Sequence, residues 1–220
     1  MKIHSIFAEI SIFLIMLLFF ILPPIFGNFG SPASGEIVTI EWSFPFSQLV
    51  MASIALCIFL IYRKLRNSKI NIFGFRILFT LGLLFASFFF INFLSYLVPY
   101  KSPEPVFPVP DSVITWIFCI LNFAFAAFYE EVVYRFYFTD TLISLLNKIS
   151  PLFENKITVI ICEILGCVVF ALAHSYLGIF AVINAAIAHF ILRYTYKKSN
   201  SIIPGVAAHF LYNMISVILL

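Results

Sequence analysis

Apolar residues run through this chain in long blocks, separated by short polar stretches that hold most of its charged side chains. An α-helical span needs about 20 apolar residues to cross roughly 30 Å of hydrocarbon. On that rule the sequence predicts spans near 5–26, 46–62, 74–98, 112–134, 157–177, 178–193 and 202–220. The fourth continues as helix through Thr141 to Leu146, until Asn147 and then Ser150-Pro151 break it. The sixth is short and abuts the fifth at Gly178. The predicted fold class is all-α: a multi-pass transmembrane helical bundle of about seven spans. There is no internal repeat.

Composition supports the membrane reading. Hydrophobic residues make up 63% of the chain and charged residues 10%, and Phe alone occurs 29 times. The mean hydropathy is +1.09. A soluble domain of this size needs far more charge to cover its surface. No polar stretch is long enough to fold separately in water, so a single membrane domain over 1–220 is expected. The first apolar block, Ser5 to Phe26, is longer than a signal h-region, and Ser31-Pro32-Ala33-Ser34 is a poor cleavage site. An uncleaved first span is therefore expected. Cys57, Cys119, Cys162 and Cys167 all fall in apolar runs with no CxxC spacing. They read as free, buried, small hydrophobes.

The net charge is only +3, which argues against a nucleic-acid partner. The basic residues fall in alternate loops: Arg63, Lys64, Arg66 and Lys69; then Arg135, Lys148 and Lys156; then Arg193, Lys197 and Lys198. The intervening loops, around Glu36 and Glu41 and around Glu104 and Asp111, carry little positive charge. The positive-inside rule then puts the N-terminus inside. The Pro-rich stretch 102–110 reads as a stiff connector on the other side.

Charge is costly in hydrocarbon, so ionisable residues within the blocks are candidate sites. The densest group is Tyr129-Glu130-Glu131-Val132-Val133-Tyr134-Arg135. Glu131 and Arg135 stand four apart, on one helical face, and can pair. Glu130 points about 100° away and is left without a local partner. In a low-dielectric pocket such a carboxylate suits general-base work. The alternative is a helix-end cluster snorkelling to the interface. Phe170 with His174 forms a second group, though a lone membrane histidine often only packs. His209 and Asn213, again four apart, form a third, for which a polar clasp between helices is the alternative. Glu130 and His174 lie 22 residues either side of position 152. A hairpin folded there brings them to one level, a registry that core packing does not require.

Lesser polar residues carry weaker readings. Glu163 reads as a snorkelling end charge, and His189 as a neighbour of the site at most. Asn122 and Asn184 suit interhelical hydrogen bonds, and Tyr129 and Tyr134 are candidates to donate to the charges.

Glu130-Glu131 with Arg135, then Phe170 with His174, then His209 with Asn213 resembles the three-motif signature of the CPBP family (CAAX protease and bacteriocin-processing, also ABI). The type II CAAX prenyl endopeptidases belong to it. The resemblance covers about 112–220 as a catalytic core, with 1–111 adding N-terminal spans. It implies an intramembrane endopeptidase in which Glu130 activates water with help from His174. It implies that His209 and Asn213 hold the oxyanion, and that Glu131 and Arg135 brace the site. Zinc held by Glu130, His174 and His209 is the competing version. However, no HExxH helix is present and Asn is a poor zinc ligand, so a metal-free site with no cofactor is expected. Two departures stand out: Phe136 occupies a position where the family usually has Gly, and the 147–157 segment lengthens the gap between the first two motifs.

The expected substrate is a membrane-associated or lipidated peptide within the bilayer, more in keeping with bacterial precursor processing in a cytoplasmic membrane than with true CAAX processing. The alternatives are a non-catalytic membrane scaffold or bacteriocin-immunity protein of the same fold, and a small proton-coupled transporter.

Overall fold

The structure, a computed structural model, describes residues 6–28, 41–65, 68, 70, 73–98 and 108–219. Among these residues all regular structure is helical. Helix α1 (Ile6–Met16) passes through a π-helical turn into α2 (Pro23–Asn28). It is followed by α3 (Phe46–Leu65) and α4 (Gly74–Leu97). Helix α5 (Val113–Glu130) runs through a π-helical segment, Glu131–Phe138, straight into α6 (Thr139–Ile149). Then come α7 (Lys156–Leu172), α8 (Ile179–Ser199) and α9 (Ile203–Leu219). Five rods, 6–26, 46–63, 74–97, 113–149 and 179–199, are long and apolar enough to cross a membrane, while α9 is an apolar helix of 17 residues. The protein is an integral membrane protein with an all-α, multi-pass fold.

Helix ends follow local chemistry. Ser112 and Thr115 form a reciprocal capping box that starts α5. Asn155 caps α7 by accepting from the Thr158 amide at 2.8 Å. Gly178 takes φ 92°, a backbone state closed to most residues, where the chain turns into α8. The boundary expected at Gly178 is therefore real. Helix α8, however, runs on to Ser199 and ends on a left-handed Asn200.

The two ends of the bundle are recognisable by their contacts. At one, Lys148 pairs with Glu9 at 2.5 Å, Lys197 with Asp140 at 2.7 Å, and Ser68 donates to the Asn200 carbonyl at 3.3 Å. At the other, the Trp42 indole donates to the Pro108 carbonyl at 2.7 Å, and Phe44 packs edge-on against Phe118. The beginning of α1, the 149–156 turn and the 199–203 turn thus share an end, as alternate loops must. Two residues expected in the basic loops are not there. Arg135 (0% exposed) and Arg193 (4%) lie inside the bundle, paired with carboxylates. Arg66, Lys69, Glu36, Glu104, residues 31–34 and most of the Pro-rich stretch lie outside the described residues, as does the Lys64 side chain.

The core centres on the π-helical segment. Val132, Val133, Phe136 and Tyr137 are fully buried. Phe136 meets Phe59 of α3 at 5.2 Å and Tyr196 of α8 at 6.0 Å, both edge-on. The ring that replaces the family's usual glycine thus fills a three-helix junction, where it contributes van der Waals packing between helices. Helix α4 lies on α8 and α9 through polar contacts: Thr80 with Thr195 at 2.7 Å, and Asn184 between Ser87 (3.2 Å) and Tyr212 (3.1 Å). Asn184 therefore bridges helices as expected, whereas Asn122 makes no such bond among the described residues. Three cysteines are buried, but Cys57 is exposed on the flank of α3, contrary to expectation.

Candidate active site

The candidate residues converge around the start of the π-helical segment. A π-turn carries i→i+5 hydrogen bonds and is uncommon in an α-helix except near functional sites. Glu131 and Arg135 are 1% and 0% exposed and pair at 3.6 Å, as their spacing predicted. That distance is an ion pair, too long for a good hydrogen bond. Arg135 also donates from Nη1 to the Glu130 carbonyl at 3.5 Å, and its Cζ lies 3.7 Å over the Phe170 ring. Phe170 thereby becomes the platform of the site. Its ring also meets His174 (4.6 Å), Tyr134 (5.2 Å) and His189 (5.7 Å).

Helix α9 brings the third group. His209 Nδ1 lies 3.0 Å from Glu131 Oε1, and its Nε2 lies 3.8 Å from Glu130 Oε2. The first contact orients the ring and the second turns its free edge toward Glu130. Glu130 keeps a 21% exposed side chain, yet its Oε2 is buried without a hydrogen-bond partner. The two glutamates have therefore diverged. Glu131 is tied to Arg135 and His209, while Glu130 holds an unspent acceptor.

His174 follows the last turn of α7, with its Nδ1 2.9 Å from the Phe170 carbonyl. A carbonyl only accepts, so Nδ1 carries the proton and Nε2 is left with a lone pair. Asn213 stands one turn beyond His209, half-buried, and makes no hydrogen bond among the described residues. The hairpin registry is also visible, through a residue whose charge alone suggested a loop. Arg193 binds Asp140 of α6 and Glu163 of α7 together, so those two residues are level. Glu130 and His174 stand ten and eleven residues further from the turn.

Other outcomes depart from expectation. Glu163 is no free end charge, since Arg193 binds both its oxygens at 2.7 and 2.9 Å. The Tyr129 hydroxyl donates to the Phe20 carbonyl at 2.7 Å and not to the charges. His189 is fully buried on Phe170 with both ring nitrogens unpartnered. Gly205 escaped the sequence reading altogether. A Cβ there would lie 2.8 Å from Glu131 Oε2, so this glycine makes room for the carboxylate. Its place four residues before His209, on the same face, was the available signal.

No three His, Cys, Asp or Glu side chains among the described residues gather closely enough to hold a metal ion. Glu131 and the Phe170 carbonyl engage only the Nδ1 atoms of His209 and His174, an arrangement that metal-ligating histidines share. Residues 112–215, from the cap of α5 through most of α9, match the family described as Rce1-like, type II CAAX prenyl endopeptidase Rce1-like. This match, over just under half of the chain, supports assignment to the CPBP, or CAAX-protease, family. No curated protein and no solved structure matches the chain. The CAAX-protease family is a family of proteases, so peptide is the class of substrate and hydrolysis the class of reaction that membership implies. The matched segment holds every residue of the cluster just described.

Proposed function

We propose that this CAAX-protease family member is an intramembrane endopeptidase that cleaves a membrane-associated or lipidated peptide without a metal. The observation that carries this is Glu130 Oε2, a buried acceptor with no partner, 3.8 Å from His209 Nε2. An unpartnered buried carboxylate oxygen is costly, and a water molecule held there relieves it. Glu130 takes the proton of that water as it attacks the scissile carbonyl, and His174 Nε2 accepts the water's second hydrogen and orients it. The Asn213 amide donates to the oxyanion, and so does His209 from Nε2 when it is the imidazolium that Glu131 and Glu130 flank. Glu130 then passes its proton to the leaving amine.

The test uses the purified full-length protein in lipid with a quenched-fluorescent library of membrane peptides. Glu130→Gln should lower kcat by about 10²–10⁴-fold, the usual worth of a general base, with the fold retained. Cleavage that survives this change would reject Glu130 as the base. Binding without new peptide termini would favour a scaffold, and proton flux without cleavage a transporter.

A further inference from the structure

Arg193 makes five hydrogen bonds to three residues and stands outside the family's motifs. It comes from α8 and is 4% exposed. Its Nε and Nη2 bind both oxygens of Glu163 on α7, at 2.9 and 2.7 Å. Nη2 also binds Asp140 on α6, and Nη1 donates to the backbone carbonyl of Arg135 within the π-helical segment. One guanidinium therefore joins α6, α7, α8 and the π-segment. Only a planar fork with five donors can satisfy so many acceptors at once.

We propose that Arg193 is a positioning residue for the reaction assigned above, and so the inference rests on that reading. It acts at two points. By holding the Arg135 carbonyl it fixes the π-segment, whose first turn carries Glu131 and begins directly after Glu130. By pinning Asp140 level with Glu163 it fixes the relative register of the two arms that carry Glu130 and His174. A slip of one residue along either arm shifts the two by about 1.5 Å and turns them by about 100°, more than a reacting pair tolerates. Arg193 touches neither water nor peptide. Its effect passes through the backbone.

The experiment compares wild type, Arg193→Lys, Arg193→Met and Lys197→Met as full-length proteins in lipid nanodiscs. The Arg193→Lys change keeps the charge in place if the Met variant fails to fold. Lys197 reaches the same Asp140 from an exposed side, at 2.7 Å, and serves as the control. Two quantities are read: kcat and KM for the best library peptide, and hydrogen exchange across 129–140. Both Arg193 variants should lower kcat at least tenfold with KM within twofold, and should speed exchange across 131–138. Lys197→Met should leave kcat within twofold. An Arg193→Lys kcat within twofold of wild type overturns the inference, as does a loss of kcat with exchange unchanged across 131–138. An equal loss in Lys197→Met also overturns it, since charge at that end would then be the cause. If wild type cleaves no peptide but Arg193→Lys still loosens 131–138, the hydrolase reading fails while the hold on the π-segment stands.

Discussion

At the scale of single residues, the site is a contest over one carboxylate. Glu131 sits 1% exposed between Arg135 and His209, and Gly205 leaves the space it fills. Arg135→Met strands that charge, and breaking a buried pair from one side costs about 3–5 kcal/mol. The double change Glu131→Gln with Arg135→Met should be markedly more stable than Arg135→Met alone, as denaturant unfolding in mild detergent will show. Gly205→Ala acts more gently. Its methyl presses on Glu131 Oε2, so the carboxylate and then His209 must move. Activity should fall about tenfold or more while unfolding shifts by only a few degrees, a separation visible by running both assays on one preparation.

At the scale of elements, the π-segment and the hairpin depend on close approach. A Cβ on Gly166 of α7 would collide with the Thr139 hydroxyl at the start of α6. Gly166→Ala should destabilise the protein by about 1–3 kcal/mol, the usual cost of overpacking. Adding Thr139→Ala should recover much of that loss, measured by thermal unfolding of the two variants side by side. These elements also show what a sequence can disclose. The rods were legible because long apolar blocks have few other solutions, and the Glu131–Arg135 pair because a spacing of four puts both on one helical face; His209 was joined to Glu130 by the family resemblance alone. The π-segment was not, since nothing in Glu131–Phe138 distinguishes a wider turn from an α-helix. Arg193 was misread for a related reason. Positive charge near a helix end usually marks a loop, and only partners brought in from α6 and α7 reveal it as internal.

At the scale of the whole molecule, contacts divide the bundle into two ends, and the division can be checked across a membrane. In a Cys57→Ser background, Leu152→Cys (84% exposed) and Val113→Cys (77%) lie at opposite ends of the 113–149 rod and its turn. An impermeant thiol reagent should label them from opposite faces of sealed vesicles. Metal dependence is likewise a property of the entire catalytic unit. Prolonged chelation, with no zinc restored, should leave cleavage by the wild-type protein unchanged within twofold.

The early end of α7 has a further consequence. Its helix stops at Leu172, and the chain then passes through Ala173, His174 and a 3₁₀ turn, Ser175–Leu177, before α8 begins. Peptide groups outside a helix do not endure contact with acyl chains, so such a break at bilayer depth persists only beside protein or moisture. The Ser175 hydroxyl also lacks a hydrogen-bond mate there, so the turn beside His174 offers an unmet polar group to any solvent that reaches it.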